Sequence, residues 1–108
     1  IHEDLPVGID VEQPKEKIRR IAQKFLSEEE QEVCGEDTTM LCTFWCAKEA
    51  LYKLYGKKKL IFKQNLAVNY SSNHGDTLFF GRVIVDGVTS EYELQREKIA
   101  NSLIVFTK

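Results

Sequence analysis

The sequence predicts an α+β fold in which helices come first along the chain and antiparallel strands come later. The first half has apolar residues at helical spacing, interrupted by helix start and stop signals. The second half is rich in β-branched and aromatic residues that are separated by turn-forming segments. The 108 residues, 43% of them hydrophobic, suffice for one compact core, so we assign residues 1–108 to a single domain.

The first half of the chain carries one strand signal and two helix signals. Apolar residues alternate with other types over residues 6–12, which predicts a short strand, and Pro14 prevents its continuation. Residues 15–25 have apolar side chains at helical spacing and predict an amphipathic helix. Ser27 and Glu30 have the spacing of a capping box, which predicts that a second, short helix begins there.

A third and longer helix is predicted to run to about Tyr55, and an antiparallel sheet of about three to four strands follows it. Asp37 or Thr38 can cap the start of this helix, and Gly56 can end it. The dipeptide Asp86-Gly87 lies between two strand-like runs and predicts a hairpin turn. The predicted strands of the sheet cover residues 66–70, 78–85, 90–95 and 102–106.

Composition and charge exclude several classes of protein. The formal net charge of −2 produces no positive field for a polyanion, so we expect no nucleic-acid partner. No apolar run approaches the roughly 18 residues that span a bilayer, so we expect no membrane insertion. No signal-peptide pattern opens the chain, which favours a cytoplasmic protein. Because the first residue is Ile1 and not Met, we expect a piece or a processed form of a longer chain.

The three cysteines of the chain, Cys34, Cys42 and Cys46, form no CxxC pair. Cys42 and Cys46 are four residues apart and would share a helix face. Zinc would need further Cys or His ligands, and the two histidines, His2 and His74, are distant in sequence. We therefore expect reduced, buried cysteines that act as small hydrophobic residues.

Two carboxylates on the first predicted strand form the first candidate site. Asp10 and Glu12 are two residues apart, so their side chains project from the same face of the strand. Adjacent carboxylates repel each other unless a cation or a basic group lies between them. Oxygen ligands of this kind suit Mg²⁺, whose remaining positions are filled by water and substrate phosphate. The pair is therefore either part of a magnesium site or a solvated acidic face.

The third predicted helix carries a charged residue within its apolar side. At 100° per residue, Lys48 lies inside a broad apolar arc. Its ammonium group either reaches water while its stem packs against the protein, or it contacts a bound anion. The arc is formed by Met40, Leu41, Phe44, Leu51, Leu54 and Tyr55.

Glu49 and Lys53 lie four residues apart on another face of the same helix. One interpretation is an ordinary surface ion pair. The other depends on the neighbours Cys42, Cys46 and Trp45, which make this face unlike a charged surface. A partly buried carboxylate there could complete a metal site or accept a proton. The residues alone therefore indicate a metal site that handles phosphate, without identifying its reaction.

Two segments resemble the signatures of the 4′-phosphopantetheinyl transferase superfamily. Residues 7–12, with the sequence VGIDVE, are similar to the first signature. Residues 44–53, with the sequence FWCAKEALYK, are similar to the second, in which a tryptophan precedes Lys-Glu and a further lysine follows. The two segments occur in the family's order, with a helical stretch between them. The resemblance implies the α+β fold of that superfamily.

The resemblance implies roles for five residues. Asp10, Glu12 and Glu49 would hold Mg²⁺ together with the pyrophosphate of coenzyme A. Glu49 would also help, directly or through a water molecule, to deprotonate a serine of the carrier protein. Lys53 would stabilise or protonate the departing 3′,5′-ADP, and Lys48 would contact the phosphates of the coenzyme. The reaction would transfer the 4′-phosphopantetheine arm from coenzyme A to an apo acyl or peptidyl carrier protein.

The part of the family that the chain resembles is the C-terminal, metal-binding half of the long, surfactin-synthetase-type class. In that class two similar halves bind coenzyme A between them, and neither His2 nor His74 clearly replaces the histidine of the first half. The resemblance therefore implies that the other wall of the site comes from a missing N-terminal half or from a second copy of the chain. A basic segment with Lys57, Lys58, Lys59 and Lys63 could meet an acidic carrier protein or coenzyme phosphates, or it is simply solvated.

Three hypotheses of function follow from these observations. The first is a magnesium-dependent transferase. The second is a non-catalytic module, an isolated or degenerate half that binds a metal or a partner only. The presence of Asp10, Glu12, Glu49 and Lys53 together favours the first over the second. The third, a generic helix-and-sheet interaction domain, requires both signatures to be coincidental.

Overall fold

The computed structural model describes residues 8–56, 59–70 and 78–107, and these residues build a five-stranded antiparallel sheet. The strands are β1 (Ile9–Glu12), β2 (Leu66–Asn69), β3 (Leu78–Val85), β4 (Val88–Ile99) and β5 (Ser102–Thr107). Their order in the sheet is β1-β5-β4-β3-β2, so the first strand of the chain pairs with the last. The α+β prediction is confirmed, and the predicted N-terminal strand forms one edge of the same sheet.

The second helix begins at a predicted capping residue, and the third begins and ends at predicted ones. Ser27 and Glu30 form a reciprocal capping box, with distances of 3.2 Å and 2.9 Å between the side-chain oxygens and the main-chain nitrogens. Asp37, rather than Thr38, caps the third helix by accepting a hydrogen bond from the Met40 N–H. Gly56 ends that helix in a left-handed conformation with φ 64°. The helices in the described residues are α1 (Ile18–Phe25), α2 (Glu28–Cys34), α3 (Thr38–Tyr55) and α4 (Phe62–Asn65).

Several details differ from the prediction. Helix α1 begins at Ile18 because residues 15–17 form a turn whose hydrogen bonds span three residues rather than four. Strand β4 is longer than predicted because it pairs with β3 along its first part and with β5 along its last. The single-turn helix α4 has no counterpart in the prediction. None of the helices described is long and apolar enough to cross a membrane.

Helix α3 packs across one face of the sheet and forms the centre of the core. It contacts β1, β5, β2, β3 and α1. Leu41, Phe44 and Leu51 of the predicted apolar arc are buried, and so are Cys46 and Ala47 on the other faces of the helix. Because the helix is buried nearly all round, a charged side chain on it must find partners inside the protein or reach an edge of the sheet.

Strand β1 approaches α3 most closely at Gly8, which precedes the strand. The Gly8 N–H donates a hydrogen bond to the Thr107 hydroxyl at 2.9 Å, which holds this end of the strand on β5. A Cβ atom at Gly8 would overlap the Ala50 carbonyl oxygen and would lie 3.0 Å from Cβ of Leu54. A glycine is therefore required for the close approach, and the close approach brings Asp10 within reach of α3.

The two faces of β1 are inverted relative to an ordinary edge strand. Asp10 and Glu12 face the helices, whereas Ile9 and Val11 face away and are 50% and 54% exposed. An edge strand over a core normally places its apolar side chains inward. The inversion indicates that the carboxylates are directed inward for a reason other than packing.

Two further predictions can be compared with the structure. The hairpin at Asp86-Gly87 is confirmed, with φ values of 53° and 78° that match a turn with two left-handed residues. The cysteines Cys34, Cys42 and Cys46 are free and buried, as expected. Burial raises the pKa of the Cys42 thiol to about 11, which is consistent with a protonated, unreactive group. The predicted turn over residues 71–76 lies outside the described residues.

Candidate active site where β1 meets α3

The candidate site lies where the carboxylates of β1 meet the second half of α3. Asp10 is only 6% exposed, and Glu12 is partly buried on the same side of the strand. Glu49 and Lys53 are on the adjoining face of α3. Strand geometry places the first pair on one face, and the helical repeat places the second pair one turn apart. The structure therefore brings together four of the five residues predicted to form the site.

Lys53 is the direct link between the helix and the strand. Its Nζ lies 2.7 Å from Oδ1 of Asp10 and donates a longer hydrogen bond, at 3.3 Å, to the main-chain oxygen of Ile9. The Lys53 side chain is 53% exposed, so its ammonium group is solvated on one side. The contact is a hydrogen-bonded ion pair with one buried and one exposed partner.

The second carboxylate oxygen of Asp10 has no hydrogen-bond donor. Oδ2 of Asp10 is buried and unpartnered, and the Glu12 carboxylate neighbours the Asp10 side chain. Two ionised carboxylates are both acceptors, so this contact becomes favourable only when a proton or a cation lies between them. The main-chain oxygen of Asp10, by contrast, accepts a hydrogen bond from the Cys46 thiol at 3.1 Å.

The acidic groups of the site perturb one another. Burial, and then the hydrogen bond and charge of Asp10, raise the pKa of Glu12 to about 7, while a hydrogen bond from Trp45 opposes this shift. Burial and the Asp10 charge also raise the pKa of Glu49, and Lys53 lowers it. The hydrogen bond to Asp10 raises the pKa of Lys53. The cluster therefore carries excess negative charge that favours a proton or a cation.

The donor set of the cluster fits a hard cation such as Mg²⁺, but its spacing as described is not that of a finished metal site. All three predicted ligands, Asp10, Glu12 and Glu49, are carboxylates, and one of their oxygens is buried without a donor. Within residues 8–56, 59–70 and 78–107, no three acidic, histidine or cysteine side chains are grouped closely enough to hold a metal ion. In the described arrangement Asp10 and Glu12 are adjacent, and the Lys53 ammonium lies on Asp10.

A groove beside Glu12 provides room for a ligand. Its volume is about 490 Å³, and it lies between the end of β1, the turn before α1 and the side of α3 that carries Cys42 and Trp45. Lys15 and Lys17 contribute positive charge to one wall, and the Trp45 indole contributes a flat apolar surface. The other lining residues are Val11, Gln13, Ile18, Ile21, Cys42 and Ser102.

A comparison with known families identifies the chain. A profile of the 4′-phosphopantetheinyl transferase superfamily matches residues 6–102. The chain belongs to this superfamily. The matched range includes β1 and α3, the two elements that carry the carboxylates and Lys53. No curated protein shows significant sequence similarity to the chain.

Two solved structures have a similar fold. The holo-[acyl-carrier-protein] synthase of Helicobacter pylori in complex with coenzyme A matches with a TM-score of 0.75 and 17% identity, over 94% of this chain and 96% of that one. The acyl carrier protein synthase of Mycobacterium tuberculosis matches with a TM-score of 0.55 and 13% identity, over 95% and 94%. Both matches extend over nearly the whole of this chain, so the sheet and its helices share the fold of these two synthases.

Lys48, the fifth residue predicted for the site, lies outside the cluster of carboxylates and Lys53. Its side chain is 0% exposed. The ammonium donates to the main-chain oxygens of Phe25 and Phe62, at 2.8 Å and 3.0 Å, and lies 2.7 Å from Oε1 of Glu30. All three N–H groups are thus used by protein oxygens, so Lys48 has no donor for a coenzyme phosphate in this structure. The structure thus gives Lys48 a buried structural role in place of the predicted contact with phosphate.

Glu30 is the residue of this network that sequence reasoning missed. Its Oε1 accepts from Lys48 and from the Ser27 N–H, and its Oε2 accepts from the Val68 N–H at 2.7 Å. The carboxylate thereby joins α2, α3 and the open edge of β2. The capping-box pattern points to Glu30 in the sequence, and the position of Lys48 in the apolar arc indicates that it needs a counter-charge. Nothing in the sequence shows that these two residues form a pair.

The remaining predicted contacts fall on exposed or undescribed residues. Lys59 and Lys63 of the basic segment are exposed, whereas Lys57 and Lys58 lie outside the described residues. The histidines His2 and His74 lie outside them as well. A contact between the basic segment and a carrier protein therefore stays a prediction.

Proposed function

We propose that the chain transfers the 4′-phosphopantetheine arm of coenzyme A to a serine of an apo carrier protein and releases 3′,5′-ADP. The observation that carries this proposal is the convergence of Asp10, Glu12, Glu49 and Lys53 where β1 meets α3, in a member of the 4′-phosphopantetheinyl transferase superfamily. The Helicobacter pylori synthase of similar fold is described in complex with coenzyme A, which supports coenzyme A as the donor.

The acidic residues of the cluster suit the donor side of the reaction. Asp10, Glu12 and Glu49 would hold Mg²⁺ against the pyrophosphate of coenzyme A, and bound Mg²⁺ would neutralise charge on the phosphate oxygens. The buried, donor-free Oδ2 of Asp10 is an oxygen that a hard cation can engage. The groove beside Glu12, with Lys15 and Lys17 in its wall, offers space and positive charge for an anionic ligand.

In the proposed reaction the serine oxygen forms a bond to the β-phosphorus of coenzyme A, and the bond from that phosphorus to the bridging oxygen of 3′,5′-ADP breaks. Glu49 accepts the serine proton, directly or through a water molecule. Burial raises the pKa of Glu49, which makes it a stronger base than a solvated glutamate. The electron pair of the broken bond stays on the leaving oxygen, where the Lys53 ammonium stabilises the charge or donates a proton.

The proposal is tested by the magnesium-dependent gain of the phosphopantetheine mass on an apo carrier protein. With saturating coenzyme A, we expect transfer by the unaltered protein and a loss of about 100-fold or more in Glu49→Gln, because the proton acceptor is removed while the shape is kept. Glu32→Gln is the matched control, since Glu32 is an exposed glutamate on α2.

The outcomes separate the hypotheses of function. Retained activity in Glu49→Gln would remove Glu49 from its proposed role. Absence of transfer by the full-length protein would overturn the enzyme hypothesis and would favour the non-catalytic module. If the 108 residues alone are inactive while a longer parent chain is active, the site needs a contribution from outside this chain.

The inverted face of β1 supports the proposal that a second folded unit covers this edge of the sheet. Ile9 and Val11 are half exposed, and Phe106 and Ile104 lie opposite them on β5. This unit is either the N-terminal half of a longer chain or a second copy of this one. A size measurement in solution, with and without coenzyme A and Mg²⁺, distinguishes them, because only the second copy gives a dimer or larger assembly of the isolated chain.

A further inference from the structure

The Lys53–Asp10 pair occupies the position where the proposed function needs a metal ion. Asp10 is buried and held on the sheet, so its carboxylate has little freedom to move. Lys53 sits on a flexible stem, and its ammonium group donates to Oδ1 of Asp10 and to the main-chain oxygen of Ile9. If one partner leaves this pair, it is therefore Lys53.

Lys53 lies among negative groups from both elements that pack at this edge. Asp10 contacts it directly, Glu49 precedes it by one helical turn on α3, and Glu12 acts on it from β1. The pKa of Lys53 is raised, first by the hydrogen bond to Asp10 and then by the charges of these carboxylates. Among the described ion pairs, only the one between Lys53 and Asp10 brings a positive charge to these three acids.

A divalent cation at Asp10 would conflict with this arrangement. A hard cation takes carboxylate oxygens at about 2.0–2.1 Å, and a lysine ammonium held on the same carboxylate would repel it. The repulsion falls once the ammonium swings outward, which its 53% exposure allows. The energy of the exchange is small because an ion pair with an exposed partner is weak.

We propose that the Lys53 ammonium and a divalent cation compete for the Asp10 carboxylate, and that cation binding displaces Lys53 toward the phosphates of the donor. The inference rests on the proposed function, since it explains how the metal ligand and the lysine that faces the leaving group share one carboxylate. It makes Lys53 a group that limits cation affinity as well as one that stabilises the leaving oxygen.

The test is a titration with Mn²⁺ alone, monitored by fluorescence of Trp45, the only tryptophan in the chain. The Trp45 indole lines the same groove as Glu12, so a paramagnetic ion at the carboxylates should quench it. The titration is done in mildly alkaline buffer, where carboxylates are ionised. Lys53→Met removes the competing charge and should lower the Kd for Mn²⁺ roughly three- to tenfold.

Two matched variants identify the cause of any change. Lys53→Arg keeps the charge and should keep the affinity of the unaltered protein. Lys24→Met removes an exposed charge from α1 and should leave the affinity unchanged. The urea midpoint of each variant shows that the fold is retained.

An equal or higher Kd in Lys53→Met would overturn the competition between Lys53 and the cation. If Mn²⁺ quenches Trp45 and the protein transfers phosphopantetheine, such a result leaves the proposed function intact, so the two failures are distinguishable. If Mn²⁺ quenches none of the proteins, the competition is refuted, and the transfer assay decides separately on the function.

Discussion

Helix α3 carries two lysine–carboxylate pairs with the same distance and opposite characters. Lys48 and Glu30 lie 2.7 Å apart, and so do Lys53 and Asp10. In the first pair the lysine is 0% exposed and donates to three protein oxygens. In the second pair the lysine is 53% exposed, and one carboxylate oxygen has no donor. The same distance therefore occurs in a closed structural network at Lys48 and in an open site at Lys53.

The difference shows that burial and the number of partners decide the role of an ion pair. A buried pair that satisfies every donor and acceptor cannot exchange a partner without exposing a charge to the core. Burial lowers the pKa of Lys48, while its hydrogen bond to Glu30 and the charge of that carboxylate oppose this shift. The exposed Lys53 can exchange water or a ligand for Asp10 at little cost.

The largest expected difference between the pairs is in stability. Lys48→Met leaves the Glu30 carboxylate buried without a cation and should lower the free energy of unfolding by about 3–5 kcal/mol. Lys53→Met should lower it by less, about 1–2 kcal/mol, because that lysine is half solvated although the Asp10 carboxylate that it leaves is buried. Urea denaturation of both variants measures the contrast. Equal losses in the two variants would remove the distinction between a structural and an exchangeable pair.

An intermediate effect is expected from the contact that holds β1 on α3. Gly8→Ala places a methyl group against the Ala50 carbonyl and should cost about 1–3 kcal/mol, since backbone atoms must move. Gly81→Ala is the matched variant, because its methyl group would clash with the side-chain ends of Leu51 and Leu94, at 2.7 Å and 2.8 Å, and would be in ordinary contact with the Ala67 main-chain oxygen at 3.5 Å. In urea denaturation, Gly81→Ala should lower the free energy of unfolding by less than Gly8→Ala does.

Gly8→Ala also discriminates between the two pairs. Moving β1 away from α3 separates Asp10 from Lys53 but leaves Lys48 and Glu30 in place, since their hydrogen bonds run to Phe25, Ser27, Phe62 and Val68. We therefore expect Mn²⁺ to quench Trp45 fluorescence less in Gly8→Ala than in the unaltered protein. In Gly81→Ala we expect the quenching to be unchanged. Equal quenching in both variants would show that the placement of Asp10 does not depend on the close approach of β1.

The last expected effect is a dependence of stability on pH that arises at Glu12, beside the open pair. The pKa of Glu12 is about 7 in the folded protein and 4.5 ordinarily, so between these values the folded state binds more protons than the unfolded state. The contribution of Glu12 therefore destabilises the fold increasingly as pH rises from about 4.5 to about 7. Glu12→Gln should flatten this part of the curve of unfolding free energy against pH.

The control for the pH curve is Glu32→Gln, which changes an exposed glutamate on α2. It should leave the slope between pH 4.5 and 7 as in the unaltered protein. An unchanged slope in Glu12→Gln would show that Glu12 is solvated rather than placed against Asp10.

Local signals in the sequence predicted most of the fold. The capping box at Ser27 and Glu30, the cap at Asp37 and the stop at Gly56 define α2 and α3 because each acts through neighbouring main-chain groups. The hairpin at Asp86-Gly87 follows from the left-handed conformations that these two residues adopt. The order of the strands in the sheet could not be predicted from such local signals, because the pairing of β1 with β5 joins residues nearly a hundred positions apart.

The sequence by itself determined the residue types of the site and their placement on β1 and α3: two carboxylates in alternation, and a glutamate and a lysine one turn apart. Only the tertiary structure decided that Lys48 belongs to Glu30 and that Lys53 belongs to Asp10. Helical periodicity places both lysines on α3 but contains no information on what packs against each face. The partners come from α2 and β1, whose positions depend on long-range packing such as the approach of Gly8 to Ala50.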